Sequence, residues 1–414
     1  MFETATAFLV LTAVLAWFNR RHVGLPTTIG VMVIALALSL TLIGLDALGF
    51  GGLREYAASL LAPVDFSDVL MRGMLSLLLF AGALHVDLSE LREYRVEVAV
   101  LAVVGTILST VVVAFGLFCL LPFAGLSLTL PYCLVFGALI SPTDPIAVMG
   151  ILRKAGVPRG MELVIGGESQ FNDGIGVVLF SALSEMARNG EMPSAGHVIE
   201  LLSREAGGGV LFGLALGYVC YRMLKSIDSY QEEVMITLAA VLGGYALASH
   251  LHVSGPLAIV VAGLVVGNHG RALAMSDETR RHVDMFWELL DEMLNAALFV
   301  LIGLEMLSIQ FSRAVAAAGL AVIALVLMAR LGSVGVPMAL MRRRSRLPRG
   351  ALWVLTWGGL RGGISVALVL SLHPGAERAL MVPLTYAVVL FSVVAQGLTI
   401  GRVAKAATRS TGNS

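Results

Sequence analysis

Long apolar stretches recur along the chain with short polar stretches between them. A helix rising 1.5 Å per residue needs roughly 20 apolar residues to cross the hydrocarbon core of a bilayer. On that measure the sequence predicts about thirteen spans, at residues 2–18, 25–44, 66–87, 97–121, 130–153, 161–187, 206–224, 230–250, 255–268, 283–305, 313–340, 350–372 and 379–401. The ninth is short, and the tenth begins with a charged, amphipathic turn. No polar stretch is long enough for a soluble domain. The prediction is therefore an all-α membrane protein, a single transmembrane domain over 1–414 with a short tail at 402–414.

Composition agrees with lipid as the main solvent. Hydrophobic residues make up 57% and charged residues 14%, against roughly 25% charged in soluble domains. Lys plus Arg and Asp plus Glu balance at 28 each, so no basic surface points to nucleic acid. Cys119, Cys133 and Cys220 lie in or at the end of apolar runs and read as small packing residues. Met1-Phe2-Glu3 lacks the basic start of a cleaved signal, so the first span reads as a retained helix. Charge also orients the spans. With the N-terminus outside, the basic groups Arg20/Arg21, Arg153/Lys154/Arg159 and Arg342/Arg343/Arg344/Arg346/Arg349 all fall inside, as do Arg402 and Lys405. Only scattered bases such as Arg54, Arg188, Arg204, Arg313 and Arg378 stay outside, which is the asymmetry of the positive-inside rule. The expected location is a bacterial inner membrane, multi-pass, with a cytoplasmic C-terminus.

Two spans are interrupted. The fifth carries Ser141-Pro142-Thr143-Asp144-Pro145, and two prolines there remove backbone donors and clash with preceding carbonyls. The twelfth carries Trp357-Gly358-Gly359-Leu360-Arg361-Gly362-Gly363, whose glycines permit a break. They stand seven places apart in span order, an odd step, so they cross in opposite directions. Matched breaks in opposed helices point to inverted repeats, here residues 1–187 and 230–401 with the 206–224 span as linker.

Five charges fall at central positions of spans: Asp144, Glu168, Asp173, Arg330 and Arg361. Each costs at least ~2.5–3.5 kcal/mol at mid-bilayer, so each requires a partner, water or an ion. Asp173 lies roughly 18 Å along its helix, near the midplane. Ser169 stands four residues before it on the same face, and Glu168 and Asn172 form a neighbouring stripe. The break in the fifth span adds Asp144 and the backbone carbonyls near Thr143. Carboxylate, hydroxyl and carbonyl oxygens are hard ligands suited to a small cation. A carboxylate withdrawn from water also favours protonation. A proton and a cation then compete for Asp173, which is the minimum needed for antiport. Arg330 and Arg361 need acidic partners, and Glu168 reads as one of them. Asp144 reads either as an ion ligand or as a charge that, with Arg361, neutralises the half-helix ends.

These motifs resemble the monovalent cation/proton antiporter-1 family, the bacterial NhaP-like sodium/proton exchangers. The resemblance rests on Phe136 to Pro145, on Gly167-Glu168-Ser169-Gln170-Phe171-Asn172-Asp173-Gly174, on Phe286-Trp287-Glu288 through Asn295 and Phe299, and on Trp357 to Gly363. It implies a thirteen-helix sodium/proton antiporter fold with crossed broken helices, an elevator-like core and a homodimer. It implies that Na⁺ is held by Asp173, Asp144, Ser169 and the backbone at Thr143, and that Asn172 bridges the crossed helices. Glu168 would pair with Arg330, and Arg361 would sit at the second break. Asn172 replaces the first of two aspartates found in electrogenic relatives of a sister family, which implies electroneutral exchange. Many relatives carry Glu after the Phe of the third span; here Ala81 follows Phe80, so that acidic contributor is absent.

The expectation is an antiporter exchanging Na⁺, with Li⁺ as a further candidate, for H⁺. K⁺/H⁺ exchange and a cation channel are the alternatives. No enzyme motif is present: the histidines stand at span ends and loops without a partner pattern. No cofactor beyond the transported Na⁺ and H⁺ is expected, and no soluble regulatory domain. Membrane lipid and a second copy of the chain are the expected partners.

Overall fold

A computed structural model of the chain describes residues 2–48, 52, 73–144, 146–190, 195–307, 312–341, 346–348 and 350–412. Every regular element among them is helical. Without water to satisfy an open backbone, a helix is the form in which each apolar segment closes its own hydrogen bonds. In chain order these are α1 (Phe2–Phe18), α2 (Thr27–Ala47), α3 (Leu75–Leu84) and α4 (Leu88–Ala124). Then come α5 (Leu130–Ile140), α6 (Ile146–Lys154), α7 (Arg159–Asn189), α8 (Ala195–Leu224) and α9 (Tyr230–His250). They are followed by α10 (Gly255–Gly270), α11 (Asp277–Glu305), α12 (Arg313–Leu340), α13 (Ala351–Gly358), α14 (Gly363–Ser371) and α15 (Ala376–Ala407).

A helix or helix pair occupies the described part of each span read from the sequence; α4 and α7 run beyond the expected ends, whereas α3 stops short at Leu84. Among the described residues, six helices are long and apolar enough to cross a bilayer, or seven if the bent pair α13 and α14 is one span. Helical structure also continues to Gly412, through the residues expected as a short tail. The first part of the third span, Arg54, Pro145, residues 342–345 and Arg349 lie outside the described residues.

The helices pack as two groups. In one, α2, α3 and α9 pack against α11, and α10 lies against α3 and α9. In the other, α4, α5, α7, α12, α14 and α15 pack together. The helix α8 lies along α10 and α9 and also touches α7. Close approach depends on glycine in places: a Cβ on Gly209 would sit 2.8 Å from the Ser254 carbonyl, and one on Gly137 would sit 2.3 Å from that of Thr110. The Phe286-Trp287 pair has a packing role. Trp287 is fully buried, stacks near Phe80 at 4.7 Å between ring centres, and donates its indole N–H to Thr237 Oγ1 at 3.1 Å. Cys133 and Cys220 are buried as expected, but Cys119 is exposed on the outer face of α4.

Candidate ion site at the crossed breaks

The proline pair ends α5 at Ile140, and the chain runs unwound through Ser141, Pro142, Thr143 and Asp144 before α6 begins. The glycines do the same between α13 and α14, which meet at 44°. The two breaks cross and bond through their main chains. The Asp144 amide donates to the Leu360 carbonyl at 2.8 Å. Arg361 Nη1 donates to the Ser141 carbonyl and, at 3.0 Å, to that of Pro142. A cation thus caps the carbonyl end of α5, where the helix dipole is negative. Asp144 sits at the other pole, against the start of α14: a Cβ on Gly362 would lie 2.6 Å from its Oδ2. Only glycine allows the two breaks to come this close.

The helix α7 fastens this crossing. Asn172 accepts from the Thr143 amide at 3.2 Å and donates to Thr143 Oγ1 at 2.8 Å. Ser169 Oγ donates to the Thr143 carbonyl and lies 2.9 Å from Thr143 Oγ1. The proline of the break nests against Gly176, where a Cβ would come within 2.4 Å of Pro142 Cγ. One step round α7, Glu168 forms a bidentate pair with Arg330 of α12, at 2.5 and 2.9 Å. Both are buried, with side-chain exposures of 2% and 7%. Arg330 also donates to the Leu355 carbonyl near the end of α13, at 3.1 and 3.3 Å. Both of the groups that an isolated charge would leave unsatisfied are therefore bonded.

Asp173 faces elsewhere. It lines a cavity of about 470 Å³ together with Asp144, Pro142, Thr143 and the first residues of α14. Its Oδ1 is buried and has no hydrogen-bond partner among the described residues. The cavity continues between α3, α7 and α11 to Asp87, Arg153, Arg159 and Glu162. Near that end Arg159 is paired with Glu90 at 2.8 Å and Glu162 at 3.2 Å.

The structure therefore brings Asp144, Thr143, Ser169, Asn172 and Asp173 to one place, but divides them. Asp173, Asp144 and Thr143 line the cavity, whereas the Ser169 and Asn172 side chains are committed to Thr143. Charged residues within spans are also more numerous than the five expected. Glu288, Asp291 and Glu292 of α11 line the same cavity, with Asn295 donating to Asp291 at 3.1 Å. The signal lay in the spacing Asp284, Glu288, Asp291/Glu292, Asn295, which marks one stripe of a helix. Ala81 lines the opposite wall, so carboxylates enter from α11 and none from that position of α3.

Two crossed, broken helices around an orphaned carboxylate at the end of a polar cavity define a multi-pass membrane carrier for a small cation. The chain belongs to the sodium/hydrogen exchanger family, whose transmembrane model matches residues 9–406. It is 51% identical over 405 residues to the Na⁺/H⁺ antiporter NhaP of Pseudomonas aeruginosa, covering 97% of this chain and 96% of that one. It is 34% identical to the Na⁺/H⁺ antiporter NhaH of Halobacillus aidingensis, covering 90% and 91%. Its fold matches the sodium proton antiporter MjNhaP1 of Methanocaldococcus jannaschii, solved at pH 8, with a TM-score of 0.76 over 97% of this chain and 98% of that one, at 19% identity.

Proposed function

We propose that the chain is a secondary active antiporter that exchanges Na⁺ for H⁺, with Asp173 as the carboxylate for which the two ions compete. The observation that carries this reading is the orphaned Asp173 Oδ1 in a cavity reached by other carboxylates. An ionised side chain there costs several kcal/mol unless something neutralises it. A proton does so from one side of the membrane, and Na⁺ does so from the other. Asp144 and the Thr143 backbone supply further oxygens to the cation, while Ser169 and Asn172 fix the shape of the break. Glu168, Arg330 and Arg361 hold the helices and take no part in binding. With Asn172 uncharged and Asp173 the titrating member of the pair, each turn moves one cation against one proton, an electroneutral exchange. No cofactor is needed beyond the two transported ions.

The same reading treats residues 1–414 as one transporter domain built from two inverted repeats. It functions as a homodimer in a bacterial inner membrane, N-terminus outside and C-terminus in the cytoplasm, so the cavity faces the cytoplasm. The relatives named as Na⁺/H⁺ antiporters support the choice of ions.

The test is a pH-gradient dye assay on proteoliposomes holding the purified chain, with Na⁺, Li⁺ and K⁺ added in turn. Na⁺ dissipates the gradient in the wild type, and Asp173→Asn abolishes the response while remaining folded. Full activity in that variant removes Asp173 from the mechanism, and a response to K⁺ alone assigns a different cation. Exchange that accelerates strongly with an imposed membrane potential excludes the electroneutral step.

A further inference from the structure

Ser365 is the third residue of α14. It is 1% exposed, and its hydroxyl has no hydrogen-bond partner among the described residues. Several hydroxyls elsewhere bond a nearby carbonyl, although those of Ser109, Thr356 and Tyr386 are also buried without a partner among the described residues. Ser141 bonds the Gly137 carbonyl at 2.7 Å, Thr385 that of Met381 at 2.9 Å, and Ser371, at the far end of α14, that of Leu368 at 2.7 Å. Ser365 lacks that recourse for a local reason. The residue four before it is Arg361, which belongs to the unwound break, so no helical carbonyl lies beneath the side chain. A buried hydroxyl without a partner loses its bonds to water and gains none in return, and such groups are uncommon in native structures.

What Ser365 faces gives it a use. It lines the same cavity as Asp173 and Asp144. Two residues that line one cavity, Ser365 from α14 and Asp173 from α7, therefore each carry a buried oxygen without a partner among the described residues. The residues before it, Gly362 and Gly363, have no side chain to offer. A Cβ on Gly363 would sit 2.0 Å from Leu298 Cδ2, so bulk is excluded there and Ser365 is the first side-chain oxygen of α14.

We infer that Ser365 is a cation ligand at the Asp173 site, contributing a neutral hydroxyl oxygen from the α14 side. This rests on the exchanger reading above. A neutral ligand adds a bond to the cation without adding charge, so the balance between cation-loaded and proton-loaded states stays one for one. In the protonated state the same hydroxyl exchanges a hydrogen bond with the Asp173 carboxyl. A hard oxygen at this position suits an alkali-metal cation over a softer ion.

The experiment measures apparent KM for Na⁺ and Li⁺ in proteoliposomes for the wild type, Ser365→Ala, Ser365→Cys and Ser365→Thr. It also measures the rise in Tm that each detergent-purified protein shows on adding NaCl in place of choline chloride. Ser365→Ala raises both KM values about tenfold, with a much smaller change in maximal rate, and shrinks the Na⁺-dependent rise in Tm. Ser365→Cys, which keeps the volume but replaces oxygen by sulfur, behaves like Ala. Ser365→Thr, which keeps the oxygen, stays near the wild type. A purely packing role lowers Tm in choline chloride and leaves KM alone. Wild-type KM and a wild-type Na⁺-dependent Tm rise in Ser365→Ala overturn the inference. Asp173→Asn is run alongside: if it still exchanges, the site reading fails on its own account, whatever Ser365 does.

Discussion

Removing the Glu168 carboxylate tests how the broken helices are held. In Glu168→Ala the Arg330 guanidinium loses its bonds at 2.5 and 2.9 Å and keeps only the Leu355 carbonyl, at 3.1 and 3.3 Å. It remains buried, at 7% side-chain exposure, with its charge unopposed. Breaking a buried pair on one side costs about 3–5 kcal/mol. With an unfolding entropy of about 2.1 cal/mol/K per residue, a loss of about 4 kcal/mol lowers the midpoint of a 414-residue chain by on the order of 5 °C. The measurement is thermal denaturation of purified protein in detergent, paired with apparent KM for Na⁺ in proteoliposomes. Stability falls and KM changes less than about threefold. Combining Glu168→Met with Arg330→Met recovers much of the loss, because apolar groups of similar size replace a buried pair at little net cost. A Glu168→Ala variant of unchanged Tm and strongly raised KM would refute the structural role and make Glu168 a ligand.

Two further outcomes follow from the site. In Gly362→Ala the added Cβ meets Asp144 at 2.6 Å from Oδ2 and 2.7 Å from Cβ, so the breaks are forced apart and exchange falls at least about tenfold; dye assays against the wild type measure it. Competition between H⁺ and Na⁺ at Asp173 requires that apparent KM for Na⁺ rise as pH falls, approaching tenfold per unit at the acid end, with the maximal rate at saturating Na⁺ nearly constant. A pH-independent KM rules out competition at one carboxylate.

Much of this arrangement is legible in the sequence because it depends on residues with strong local rules. Pro142 and the cluster of glycines from Gly358 to Gly363 favour a break in the helix that carries them, and an arginine in an apolar helix demands partners, which for Arg361 proved to be the Ser141 and Pro142 carbonyls in place of the expected acid. Glu168 meets Arg330 for that reason. The breaks were equally visible, but their mutual bonds were not, since the Asp144 amide and the Leu360 carbonyl carry no side-chain signature. Asp291 and its acidic neighbours were hidden by the charged start of their span, which reads as a flank at the water surface. Ser365 was hidden by its type. Serine is unremarkable in an apolar helix, and only its place just past a break deprives it of the usual carbonyl. Ser169 and Asn172 were recognisable as site residues, but the direction of their side chains depends on how tightly Thr143 packs against α7.

The main-chain bonds between the breaks have a consequence for how access to Asp173 can alternate. Parting the two crossed segments would break the bonds of the Arg361 guanidinium to the Ser141 and Pro142 carbonyls, all in buried residues, at several kcal/mol for each group left without a partner. Opening the site like a jaw at this point is therefore the dearest route. Keeping the knot whole, like a locked clasp, while the surrounding helices change position around it leaves those bonds intact.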